Sequence, residues 1–153
     1  MKNNPNSGQA IVEILAAFVL LAFLLSGLVV AGLYAIKSTQ YARNKSQATK
    51  LASQQMERVR VKRDIYGIGV FPSCGVNSCF LNPQLTFGPT DSTGIFTQSL
   101  KIVLPTSGTE CPTPTGAVVT VYKAIVDVRW DNIPNATPPR QVELNSCFSN
   151  WRQ

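Results

Sequence analysis

From Ile14 to Ile36 the chain runs 23 residues, ILAAFVLLAFLLSGLVVAGLYAI, without a charged side chain, between Glu13 and Lys37. An apolar run of this length has few folded solutions. As a helix it satisfies its own backbone, and at 1.5 Å per residue it extends about 34 Å. That suffices for a hydrocarbon core of about 30 Å with some tilt. No proline interrupts it; only Ser26 and Tyr34 are polar, and a serine hydroxyl can bond back to its own helix. This one segment explains a composition of 44% hydrophobic and 14% charged residues, where a soluble domain carries about 25% charged. The 153 residues suit one domain with an appendage. The absence of histidine excludes imidazole acid–base chemistry and His-ligated metal sites.

Three readings of the span compete. A cleavable secretory signal has an apolar core of roughly 7–15 residues after a positive start; this run is longer, and an acid abuts its front. A plain single-span anchor is the second. The third uses the residues before the span. Met-Lys-Asn-Asn-Pro-Asn-Ser-Gly is a short polar leader ending in Gly8, and Glu13 is the fifth residue after it. This arrangement resembles the type IV prepilins, the precursors of type IV pilins and of the pseudopilins of type II secretion. The resemblance implies cleavage between Gly8 and Gln9 by a membrane prepilin peptidase, N-methylation of Gln9, and retention of the apolar helix as anchor and then filament core. It also implies that Glu13 sets assembly register by meeting the N-terminal amine of a neighbouring subunit.

The chemistry of the spacing agrees with that expectation. Glycine offers no side chain to obstruct a protease, and a carboxylate at membrane depth needs a partner. Without assembly, Glu13 would simply suit the positive end of a helix. The sequence also departs from the family pattern. Gln9 stands where Phe or Met is more usual, and Gly27 and Gly32 interrupt the span where many major pilins have a proline. The missing proline suits a minor pilin or pseudopilin, and the later run ending Val126–Val128–Trp130 is similar to minor pilins and pseudopilins of the PilV and GspI type. A TadE-like pseudopilin is the alternative within the family, but the Phe-Ala and proline that commonly follow its glutamate are missing.

The net charge of +6 is local. Residues 37–63 hold eight basic side chains against Glu57, while residues 64–153 are close to neutral. Lys37, Arg43, Lys45 and Lys50 follow the span and Lys2 alone precedes it. By the positive-inside bias alone, the C-terminal part would face the cytoplasm. The leader and the four cysteines point the other way, to an extracytoplasmic head on a single inner-membrane span. The basic stretch carries no interleaved aromatics for base stacking, which argues against nucleic acid and for a solvated or headgroup-facing helix surface.

Beyond the membrane, Tyr41, Ala48, Leu51, Ala52, Met56 and Val59 form an apolar stripe, with Lys50, Arg58 and Arg60 placed elsewhere on the circumference. One helix from about Gln9 to Asp64 is expected, ending near Gly67 and Gly69. Residues 67–94, rich in Gly and Pro, read as loop. Three strands follow. Ile95–Leu104 places Phe96, Leu100, Ile102 and Leu104 on one face. Val118–Trp130 places Tyr122, Ala124, Val126, Val128 and Trp130 together, and Arg140–Phe148 places Val142, Leu144 and Phe148 together. Turn-rich Pro105–Gly116 and Asp131–Pro139 separate them.

The expected organisation is therefore leader 1–8, membrane or filament-core helix 9–36, amphipathic extension 37–66, and β-rich head 67–153. The fold class is α+β and pilin-like: a long N-terminal hydrophobic helix packed on a small, about three-stranded antiparallel sheet.

Cys74, Cys79, Cys111 and Cys147 lie beyond the span. In an oxidising compartment they allow two disulfides in any of three pairings; Cys74–Cys79 with Cys111–Cys147 is preferred. A structural zinc site is the rival, without the paired C-x-x-C knuckles that would support it. Asp127 and Asp131 read as a solvated strand and turn rather than an acid–base pair. Asn44 and Asn135 head glycosylation sequons, which arise often by chance. No phosphate-binding loop, dinucleotide fingerprint or serine-nucleophile motif occurs.

The expected role is structural, with no catalytic residue, metal or cofactor. The expected partners are the prepilin peptidase and methylase, other pilins or pseudopilins, an inner-membrane assembly platform and the membrane itself. A membrane-anchored binding domain that never polymerises, or a membrane-anchored enzyme, are the competing classes.

Overall fold

Nothing in the sequence from Leu33 to Tyr66 breaks a helix, and in the computed structural model none is broken. Helix α1 runs Ser7–Tyr66, 60 residues. The structure describes residues 7–74, 78–105, 110–111, 120–130 and 140–150. The helix stops where glycine permits it. Gly67 takes φ 74°, and its N–H donates to the Arg63 carbonyl at 2.8 Å, a left-handed cap that satisfies one otherwise orphaned carbonyl.

A short 3-10 helix, Ile68–Cys74, follows. Then come β1 (Phe80–Leu81), β2 (Phe87–Gly88), β3 (Asp91–Thr93), β4 (Phe96–Val103), β5 (Val121–Trp130) and β6 (Gln141–Ser149). Strands β3-β4-β5-β6 form one antiparallel sheet in that order, and β1-β2 a separate hairpin. The architecture is α+β, a long N-terminal hydrophobic helix with a small antiparallel sheet packed against its later part.

The three long strands lie where alternation places them. Segment 67–94, read as loop, instead carries the 3-10 helix, the hairpin and edge strand β3. These elements are too short to show a period. Leu104 corrects the expected inward face of β4. It lies beyond the strand's end and is 63% exposed, while Gln98 takes an inward position at 5% exposure. Residues 118–119, most of Pro105–Gly116, Asp131–Pro139 with Asp131 and the Asn135 sequon, and the first six leader residues lie outside the described residues.

The chain divides into two units, Met1–Ala42 and Arg43–Gln153. The second holds the core. Its helical part buries Ala48, Ala52, Gln55, Met56, Val59 and Lys62, against inward Leu100 and Ile102 of β4, Ala124, Val126, Val128 and Trp130 of β5, and Phe148 of β6. Ala48 and Ala52 are completely buried on this face of the helix. The 3-10 helix inserts Phe71, fully buried, whose ring meets Tyr122 at 5.6 Å and Phe148 at 5.9 Å, both edge-on. Such pairs add about 0.5–1.5 kcal/mol beyond area burial.

Candidate functional site

In the first unit, the distinguishing feature is the helix surface. Every described side chain from Ile11 to Gln40 is exposed. The large apolar ones, from Ile11 through Phe18, Phe23 and Leu28 to Tyr34 and Ile36, range from 54% to 77% exposed. One stretch of α1 is long and apolar enough to cross a membrane. A helix apolar on all sides requires a non-aqueous solvent or neighbouring helices. Ser26 is no exception to the apolar surface, because its Oγ donates to the Phe23 carbonyl at 2.9 Å.

Gly8 and Gln9 lie in the first turns of α1. Glu13 projects from the helix, exposed, and forms no ion pair among the described residues. The backbone thus places Gly8, Gln9 and Glu13 on one continuous helix within little more than a turn and a half, without supplying a partner for the carboxylate.

In the second unit, the cysteines form Cys74–Cys79 and Cys111–Cys147, the pairing preferred from the sequence, and none is free. The first bridge closes a five-residue separation against β4. Cys79 exchanges backbone hydrogen bonds with Leu100, N to O at 2.9 Å and the reverse at 2.7 Å. The second spans 36 residues and ties the segment before β5 to β6. Beside it Lys123 Nζ lies 3.3 Å from Glu110 Oε1.

The basic stretch does more than coat the helix. Arg58, placed on the solvent side by its position relative to the stripe, is half-buried. Its Nη1 donates to the Leu81 carbonyl at 3.1 Å and to Gln55 Oε1 at 3.3 Å, with the guanidinium 5.8 Å from the Phe80 ring centroid. Lys62 is 9% exposed. Its Nζ donates to the Leu85 carbonyl at 2.5 Å and sits 4.5 Å from the centroid of Phe87. Arg63 lies over Phe148 at 5.3 Å. The sequence reading missed these roles because the stripe counts apolar residues only. The available signal was that Gln55, Lys62 and Arg63 fall three or four residues from Val59 or Met56.

The hairpin that Lys62 grips is strained. Leu85 adopts φ 59°, a conformation that costs a non-glycine residue of order 1–3 kcal/mol. Its N–H donates to the Asn82 carbonyl at 2.9 Å, and Asn82 Oδ1 accepts from the Thr86 N–H at 2.8 Å. Pro83 sits at the second turn position, which its fixed φ suits. Asp127 accepts from Arg129 Nε at 2.7 Å on the outer sheet face beside Glu143. It is not the solvated residue expected from the strand pattern: the side chain is 17% exposed, paired with Arg129 through Oδ2, and its Oδ1 is buried without a partner among the described residues. Among the described residues no group of three or more Cys, His, Asp or Glu side chains could hold a metal.

The long hydrophobic N-terminal helix with a small antiparallel sheet domain is a pilin-like fold, the architecture of membrane-anchored filament subunits in general. The chain matches no protein-family model, no curated protein and no solved structure.

Proposed function

We propose that this chain is a structural subunit, a minor pilin or pseudopilin, of a type IV pilus or type II secretion-like filament. It enters the inner membrane as a single-span precursor with its head outside the cytoplasm. Prepilin peptidase cuts it between Gly8 and Gln9 and methylates the new amine. An assembly platform then transfers the helix from lipid to the company of other pilin helices. The observation that carries this reading is the helix surface, apolar on every side over Ile14–Ile36 with Glu13 alone at its head. In a plain anchor the carboxylate would serve only the positive end of the helix; in a filament core it also serves as a counter-charge for a neighbour's amine. Two closed disulfides support an oxidising location for the head. The chain is a substrate of an enzyme and not itself one.

The test is the N-terminal sequence and intact mass of the protein from native membranes. A start at Gln9, one methyl heavier, is expected, and Gly8→Leu should leave the leader in place. An intact leader in the native protein overturns the proposal and leaves a plain anchor. Should cleavage occur, Glu13→Ala is expected to spare processing and abolish recovery of the chain in sheared filaments.

A further inference from the structure

The head contains a cleft of about 380 Å³ that filament assembly does not explain. It opens between the helical residues Leu51, Gln54 and Arg58, the hairpin at Phe80 and Pro83, and the strand residues Asp91, Thr93 and Gln98. All of these belong to the unit Arg43–Gln153.

Its chemistry is that of a binding site with both poles open. Arg58 commits Nη1 to Leu81 and Gln55. A guanidinium has five N–H donors in a fixed fork, so Nη2 and Nε retain theirs. Phe80 beneath the guanidinium and Gln55 behind it hold the group in place. Asp91 accepts from the Thr93 hydroxyl through Oδ2 at 2.8 Å, leaving Oδ1. Arg58 and Asp91 line the same cleft, both half-buried, yet form no ion pair among the described residues. Gln98, 5% exposed, brings its amide to the lining of the cleft. Leu51, Phe80 and Pro83 add an apolar wall.

Opposite charges held apart across a small polar cleft discriminate among ligands. An anion would meet Arg58 and be opposed by Asp91; a cation would meet Asp91 and be opposed by Arg58. A molecule carrying both charges satisfies both. We propose that this cleft binds a small zwitterion, an ammonium and a carboxylate on a partly apolar frame, as in a free α-amino acid or a short peptide. Arg58 takes the carboxylate, Asp91 the ammonium, and Gln98 an amide or carboxylate oxygen.

The experiment is calorimetric titration of the full, disulfide-intact chain in detergent micelles with L-leucine, glycyl-L-leucine, N-acetyl-L-leucine and L-leucinamide. Saturable binding of L-leucine or glycyl-L-leucine is expected, with the single-charge analogues at least about tenfold weaker. Leucine the tighter assigns the free amino acid; the dipeptide the tighter assigns a peptide. Asp91→Asn, on the short edge strand, should weaken the zwitterion about tenfold and narrow the gap to N-acetyl-L-leucine. Arg58→Gln should do the same toward L-leucinamide, with a retained cooperative melting transition as proof of folding, at a lower temperature because the bond to the Leu81 carbonyl is lost. No saturable binding of either zwitterion up to about 10 mM, equal binding of the single-charge analogues, or indifference to Asp91→Asn overturns the proposal.

Discussion

The same helix meets two environments. Up to Gln40 it buries no described side chain; between Ala48 and Lys62 it buries Ala48, Ala52, Gln55, Met56, Val59 and Lys62 along a single face. Its earlier stretch is apolar around the whole circumference and its later stretch on one side only. The backbone is the same, so the difference lies in where the solvent is. The later stretch takes its core from its own sheet. The earlier stretch has none among the described residues, and its apolar surface calls for lipid or other helices. Tertiary stability therefore belongs to the unit Arg43–Gln153, and truncations on the two stretches should behave oppositely.

The largest effect should come from the core. Trp130→Ala removes a side chain that is 1% exposed and should cost about 3–5 kcal/mol in thermal or urea melts of the micelle-bound protein followed by far-ultraviolet circular dichroism. Phe18→Ala, a truncation of an equally apolar residue in the first unit, should leave the same transition within about 0.5 kcal/mol. A comparable loss from Phe18→Ala would break the comparison.

The disulfides sharpen it next. Replacing Cys111 and Cys147 by serine should cost about 2–4 kcal/mol, and replacing Cys74 and Cys79 less, because the first loop closed is 36 residues and the second five. Lys62→Met keeps the aliphatic stem but abandons the Leu85 carbonyl; a loss of about 1–2 kcal/mol is expected. Lys50→Met, on the exposed face, should change stability by less than about 0.5 kcal/mol. The smallest effect should be a gain. Leu85→Asn relieves a left-handed φ that asparagine tolerates and should raise stability by about 0.5 kcal/mol, provided the hairpin keeps its turn.

Legibility from sequence follows the range of the forces involved. The span, the helical stripe and the three long strands were readable because periodicity is written over many residues. Ala48, Ala52, Met56 and Val59 repeat at helical spacing, and Ala124 to Trp130 alternate cleanly. Leu104 misled because alternation does not announce where pairing ends; β4 stops at Val103. The zwitterion cleft was invisible to the sequence reading. Its residues come from positions 51 to 98 and from four separate elements, and neither Gln98 in a strand nor Asp91 beside Gly-Pro loops stands out in a linear text.

The sequence by itself determined that the chain carries an apolar helix long enough for a bilayer, that Gly8, Gln9 and Glu13 precede its uncharged run, and that four cysteines sit in the β-rich remainder. Those are local facts: length, composition and spacing along one strand of chain. Only the tertiary structure decided that Lys62, Gln55 and Arg58 turn inward, that a two-stranded hairpin and an edge strand occupy the apparent loop, and that Leu85 is held in a strained turn. Those outcomes depend on which distant carbonyls and rings the helix meets. A lysine is buried when a partner such as the Leu85 carbonyl, 23 residues away, offsets the loss of water, and only folding brings that partner within reach.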